Sequence, residues 1–182
     1  VSRRSQYPPI GDYALIADCH SAALVSHRGS IDWCCIPRFD SGSCFGRLLD
    51  WKRAGYCSIT PTTEGFDSFR HYVDGTLVLE TTFRTGGGEV RVTDCFPTRR
   101  GGRDVPHRQI LRVVEGIRGA MDLRLEVVPR FDYGEVRPWV RRHGLRVYSA
   151  IGGNDGVLVS SEADLLPMEG HGLASDLTVR AG

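Results

Sequence analysis

Apolar and polar residues alternate with a period of two through most of the chain, the repeat of half-buried β-strands. The first clear pair is a hairpin of residues 21–26 and 31–36 around His27-Arg28-Gly29-Ser30, where Gly29 supplies the positive φ that the turn needs. Pro37 stops the second strand. Residues 42–50 read as a short helix with Ser43 as its cap, weakened by Gly46. Residues 55–60 and 66–73 are strands, the second ended by Asp74-Gly75. In residues 76–84, Leu77, Leu79, Thr81 and Phe83 share a face. Thr85 to Gly88 turns the chain, and in residues 89–96 the shared face is Val90, Val92, Asp94 and Phe96. Residues 97–106 form a loop. Further strands are predicted at 107–115, 120–128, 135–142, 145–151, 157–161 and 173–180.

No β-α-β rhythm appears. The pattern predicts an all-β fold, an antiparallel two-sheet β-sandwich (supersandwich-like) with one or two short helices. All 182 residues form one domain. Thr178 to Gly182 still reads as strand, so the expectation is a domain truncated before its last strand, with an unpaired edge.

Composition narrows the function. Charged residues make up 25% of the chain and net charge is +1, so no global field draws it to nucleic acid or to an anionic membrane. No apolar run approaches the ~20 residues of a membrane span. The six cysteines lack C-x-x-C spacing and the six histidines lack H-x-x-x-H spacing, so neither a metal site nor a cofactor is predicted. Val1 to Pro9 has no apolar leader. The cysteines therefore read as reduced, mostly buried residues of a cytoplasmic protein.

Candidate chemistry is sparse. There is no G-x-S-x-G, no P-loop and no G-x-G-x-x-G before a helix. Gly86-Gly87-Gly88 is a hairpin turn and Arg99 to Arg103 a solvated loop. Among 22 carboxylates, Asp32, Asp40, Asp94 and Asp132 lie beside aromatic or apolar residues. Asp94, on an apolar face, is expected to be structural, bonded to backbone N–H groups or an arginine. The string Pro-Arg-Phe-Asp occurs at 37–40 and 129–132. In each, Pro ends a strand, Phe is expected to anchor the turn in the core, and Asp to bond following N–H groups. Arginine, aspartate and an aromatic ring are also what a sugar site uses. Trp33, Arg38, Phe39 and Asp40 are thus the candidate residues of a substrate rim or domain interface. Phe45 and Leu49 are expected to pack on the sandwich, leaving Arg38 and Asp40 accessible.

The stretches Ile10 to Ser26, Gly29-Ser-Ile-Asp-Trp33, Pro37-Arg-Phe-Asp-Ser41 with Phe45, and Leu48-Leu-Asp50 resemble the opening of glycoside hydrolase family 15 proteins of the glucoamylase-like and bacterial trehalase type. Val92-Thr-Asp-Cys-Phe-Pro97, Arg112-Val-Val-Glu-Gly116 and Pro129-Arg-Phe-Asp-Tyr-Gly134 resemble later blocks of the same region, in the same order. The resemblance implies an N-terminal β-sandwich packed on a C-terminal (α/α)6 barrel, which holds both catalytic glutamates and inverts an α-glucoside. None of those glutamates maps onto this chain, so no catalytic residue is assigned. Cys34, Cys35, Cys44 and Cys57 depart from the apolar or small residues expected there, and nothing separates trehalase from glucoamylase. The expected role is a non-catalytic domain that supports the barrel and lends the loop after Ile36 to its rim. The expected partners are that barrel and an α-glucoside sugar, with self-association of this chain through the face that the barrel would cover. The rival is an autonomous carbohydrate-binding module. A third reading, an intact small hydrolase, requires a carboxylate pair in one cleft.

Overall fold

A computed structural model describes residues 7–98, 108–169 and 171–182. The fold is all-β, with fourteen strands among the described residues in two antiparallel sheets. The large sheet runs β1 (Tyr13–Ala17), β2 (Ala22–Ser26), β3 (Ser30–Cys35), β5 (Tyr56–Pro61), β9 (Leu111–Val128), β8 (Gly88–Cys95), β7 (Leu79–Arg84) and β6 (Asp67–Tyr72). β4 (Ser43–Phe45) pairs with β3, while β14 (Gly172–Arg180) pairs with β9 and with β13 (Leu166–Met168). The small sheet is β10 (Trp139–Arg142), β11 (Val147–Gly152) and β12 (Asp155–Ser160).

Side chains draw the two ends of the large sheet together and curl it. Tyr72 on β6 donates its hydroxyl to the Leu15 carbonyl at 2.9 Å and accepts from the Leu15 N–H at 3.0 Å. Arg70 and Ser68 donate to the carbonyls of Val25 and His27, at 3.1 and 2.7 Å. Inside the curl, Phe83, Val90, Val92 and Leu123 form one apolar cluster. Ile16, Val25, Ile31, Leu79, Phe131 and Tyr148 belong to the other, which joins the small sheet to the large one. Burying each such side chain contributes about 1.5–3 kcal/mol.

The predicted alternation holds in β8, where Val90, Val92 and Asp94 are buried between half-buried neighbours. It holds in β7 for Leu79, Thr81 and Phe83 but not for Leu77, which is exposed. The bonds Thr76 N–H to Val73 O and Val73 N–H to Val78 O make residues 73–78 a turn, so the strand starts later than expected. The two strands expected at 107–115 and 120–128 are one. β9 pairs with β8 through its first half and with β5 and β14 through its second, changing partners around the positive-φ Gly119. Most of the loop expected at 97–106 lies outside the described residues.

The helix expected over 42–50 does not form. Its backbone is claimed by neighbours: β4 pairs with β3, Gly46 donates to the Ala54 carbonyl, and Leu48 to that of Asp32. Ser43 caps nothing; its hydroxyl accepts the Tyr133 N–H at 3.0 Å. The only helical turns among the described residues are the 3-10 turns Ile10–Asp12 and Asp132–Gly134. Phe45 packs in the core, but Leu49 is exposed, because the turns after Gly46 carry it outward. β1, β4 and β13 were not expected. β14 is paired with β9 along 173–180; beyond Ala174 its outer edge has no strand among the described residues.

Candidate functional site

The two Pro-Arg-Phe-Asp segments leave β3 and β9, and the second is bonded to β4, the strand that follows the first. Arg130 N–H donates to the Cys44 carbonyl at 2.9 Å, and Tyr133 N–H to Ser43 at 3.0 Å. The loop after Pro37 is closed on itself: Ser41 N–H donates to the Arg38 carbonyl at 3.1 Å, and Arg38 N–H to the Ser41 hydroxyl at 3.2 Å. Phe39 N–H donates to the His20 carbonyl at 2.9 Å, pinning the loop to the β1–β2 turn. That turn is itself held by Asp18 Oδ1, which accepts from the backbone of His20 and Ser21.

At the tip of this fixed loop, Arg38 grips Asp40 with two bonds, 2.8 and 3.1 Å, while their side chains remain 70% and 72% exposed. The bonded guanidinium holds the Asp40 carboxyl below its ordinary pKa. Such an exposed pair contributes little to stability, but it holds a guanidinium and a carboxylate in fixed geometry at the surface. Phe39 is 58% exposed rather than anchored in the core, whereas Phe131, its counterpart, is buried at 2%. The difference follows from the strand ends: β9 runs into the core cluster, and Pro37 turns the chain away from it.

The structure joins Arg38 to Asp40, and Trp33 to Tyr133. Trp33 is half-buried, its ring 6.1 Å from that of Tyr133 and tilted by 30°. Tyr133 and Asp132 are exposed, both with positive φ. Sequence reasoning missed Tyr133; the signal was its position between the second Pro-Arg-Phe-Asp and Gly134. The second arginine has a different role. Arg130 is buried and donates to the carbonyls of Pro129 and His171, at 2.7 and 3.2 Å. Burial, then the neighbouring Arg137, lowers its pKa.

The remaining odd aspartates are internal. Asp94 is fully buried and receives two bonds from Arg112, 2.7 and 3.2 Å, so it is a structural carboxylate. Asp32, also fully buried, accepts from the Tyr13 hydroxyl at 2.8 Å and the Ser30 hydroxyl at 2.6 Å. Its carboxylate and burial push the Tyr13 phenol up, burial being the larger cause. Cys34, Cys35, Cys44 and Cys57 are buried free thiols. No group of three metal-ligating side chains is assembled among the described residues, and none of their helices is long and apolar enough to cross a membrane.

These features define a class: an all-β domain with an exposed arginine–aspartate pair on a closed loop at one edge. The family model described as "Trehalase-like, N-terminal" matches residues 3–163, and the chain belongs to that family. Three curated proteins illustrate the kinship. A trehalase of Mycolicibacterium smegmatis is 36% identical over 147 residues, covering 73% of this chain and 22% of that protein. A trehalase of Mycobacterium tuberculosis is 35% identical over 144 residues, covering 71% and 21%. Trehalase 1 of Sulfolobus acidocaldarius is 38% identical over 122 residues, covering 67% and 20%. The chain therefore spans about a fifth of the length of these relatives and corresponds to an N-terminal domain of trehalase-like enzymes. No solved structure matches it.

Proposed function

We propose that this chain serves as the non-catalytic N-terminal β-domain of a trehalase-type α-glucoside hydrolase, with the loop carrying Arg38, Phe39 and Asp40 facing the catalytic barrel at the rim of its sugar site. The family match, confined to about a fifth of each trehalase, carries the first part of this reading. The exposed Arg38–Asp40 pair, on a loop closed on itself and tethered to the β1–β2 turn, supports the second, since a rim acts by positioning substrate. Trp33, beside Tyr133, lies at the base of the same edge. The setting is cytoplasmic and reducing, in accord with its free thiols.

The test joins this chain to the remaining portion of the Mycolicibacterium smegmatis trehalase and assays trehalose and maltose hydrolysis. The chain alone is expected to be inactive and the chimera active. Arg38→Ala or Asp40→Ala should lower kcat/KM of the chimera about tenfold or more, the loss expected for a charge-assisted hydrogen bond of about 1.5–3 kcal/mol. The melting temperature of the chain alone should hardly move. A chain that unfolds on mutation while chimera kinetics stay unchanged would reduce the motif to a structural turn.

The barrel also needs a face to rest on. Register places Trp139, Ile151 and Leu158 on the outer side of the small sheet. Trp139 and Leu158 are 82% and 77% exposed. In this reading the barrel covers that apolar face, and the chain alone self-associates through it. Sedimentation velocity should show a concentration-dependent dimer or larger species that Trp139→Ser with Leu158→Ser converts to monomer. Oligomers unaffected by both changes would move the interface elsewhere.

A further inference from the structure

The part of the sheet made by β3, β5 and β9 has two unlike faces. One carries Ile31, Cys57, Ile59 and Val127 and belongs to the core. On the other, Ser30, Ser58 and Glu126 stand directly opposite one another across the three strands. Alternation adds Asp32 on β3, and Tyr56 and Thr60 on β5, to that polar face. Ser30, Asp32 and Ser58 are nonetheless buried. They lie beneath a cover in which the Arg47 guanidinium stacks 4.1 Å from the Trp51 ring and 3.9 Å from that of Tyr56. Tyr7 packs edge-on against Trp51, 5.5 Å between centroids. Between cover and floor lies a groove of about 610 Å³, inside the 300–1,000 Å³ typical of small-molecule clefts.

The polar groups of this groove select its occupant. It holds two guanidinium groups, Arg28 and Arg47, and two carboxylates, Asp32 and Glu126. Their charges cancel, so an anion would meet carboxylates and a cation would meet guanidinium groups. Asp32 is fully buried and lies 3.7 Å from Arg47, so a neutral hydroxyl would donate to Glu126 and accept from the guanidinium groups. Thr60 is among the residues that line the groove, and its Oγ1 is buried without a hydrogen-bond partner. A buried polar atom left unbonded is costly, and rotation of the Thr60 side chain toward the groove would let a ligand hydroxyl satisfy it. Trp51 and Tyr7 add apolar ring surface of the kind that lies against the C–H face of a pyranose.

We infer that this groove binds a neutral saccharide of one or two rings. It binds without cleaving, because its carboxylates are already engaged. Asp32 accepts from Tyr13 and Ser30, and Glu126 accepts from Tyr56 at 2.8 Å and Arg124 at 3.4 Å. Burial, then the bond to Glu126, pushes the Tyr56 phenol up to about 12, so it remains a donor at neutral pH. Every group named lies within this chain, so the inference does not depend on docking to a barrel.

The test titrates the purified 182-residue chain with glucose, maltose and trehalose, followed by amide NMR and calorimetry. Saturable shifts are expected at Trp51, Ser58 and Thr60. Thr60→Val should leave the melting temperature unchanged or raise it, since a methyl replaces an unbonded hydroxyl, yet weaken binding about three- to tenfold. Glu126→Gln should weaken binding similarly, and Ser58→Leu, which fills the floor, should abolish it. The inference is overturned by any of four results: no saturable shift with any of the three sugars; binding untouched by both Thr60→Val and Glu126→Gln; shifts confined to the Arg38–Asp40 loop; or tighter binding of glucose 6-phosphate than of glucose. The catalytic chimera plays no part here, so failure of the groove and failure of the docking reading are separately visible.

Discussion

Arg112→Met is expected to destabilise the chain by about 3–5 kcal/mol, the usual cost of removing one partner from a buried ion pair. The reason lies in how many groups depend on this one side chain. The Arg112 side chain is only 8% exposed; besides its two bonds to Asp94, it donates to the carbonyls of Cys57 and Gly29, each at 2.8 Å. Burial by itself would lower its pKa, but the Asp94 carboxylate more than offsets this and the net shift is upward. The side chain thus stays charged throughout the working pH range. Methionine fills a similar volume but leaves a carboxylate and two carbonyls unbonded. Replacing both ion-pair partners by apolar residues is often neutral. Here Asp94→Leu with Arg112→Met should remain destabilised by about 1–3 kcal/mol, because the orphaned carbonyls persist. Arg112→Lys should not rescue, since an ammonium cannot span the carboxylate fork and both carbonyls. For a domain of this size the single change corresponds to a fall of about 6–20 °C in Tm. A fall below 2 °C would mean that the pair does not organise the interior as described.

The Asp94 case also marks the limit of what the sequence discloses. Strand alternation put the carboxylate on a buried face, because period two is a local property of consecutive residues. Its partner, Arg112, stands directly opposite it near the start of the adjacent strand β9, and no local pattern distinguishes Arg112 from the other arginines. The same boundary recurs elsewhere. β7 and β8 were legible because turn glycines bracket them. The missing helix at 42–50 was not, since its backbone bonds go to β3 and the Ala54 segment, which are remote or non-helical partners. β9 appeared as two strands because its continuity rests on three different neighbours rather than on its own residues. At the candidate edge, Arg38 and Asp40 were legible as chemistry. Their contrast with Arg130 and Asp132 was not, because identical tetrapeptides meet different surroundings. The groove was wholly hidden: Ser30, Ser58 and Glu126 are dull singly and become a row only through strand register.

Gly29→Ala is expected to cost about 2–5 kcal/mol, and the origin of that cost can be separated from the loss of Arg112. Gly29 closes the β2–β3 turn with φ of 80° and donates its N–H to the Ser26 carbonyl at 2.9 Å. A left-handed conformation costs a residue with a Cβ about 1–2 kcal/mol. An added Cβ here would also collide with the Ile59 carbonyl and lie 2.8 Å from the ring of Phe83, which is fully buried and cannot swing aside. Overpacking of that kind adds about 1–3 kcal/mol. Gly75→Ala is the control: its φ is 71° but nothing lies within 4 Å, so only the conformational part should appear. The Gly29 carbonyl accepts from Ile59 N–H at 3.1 Å as well as from Arg112. A turn displaced by alanine therefore already weakens the Arg112 bond. Chemical denaturation of Gly29→Ala, Arg112→Met and the double variant should accordingly give a double-mutant loss at least 0.5 kcal/mol smaller than the sum, the coupling expected for residues that share a partner. Strict additivity would show that the turn and the buried arginine act independently, contrary to the geometry that joins them.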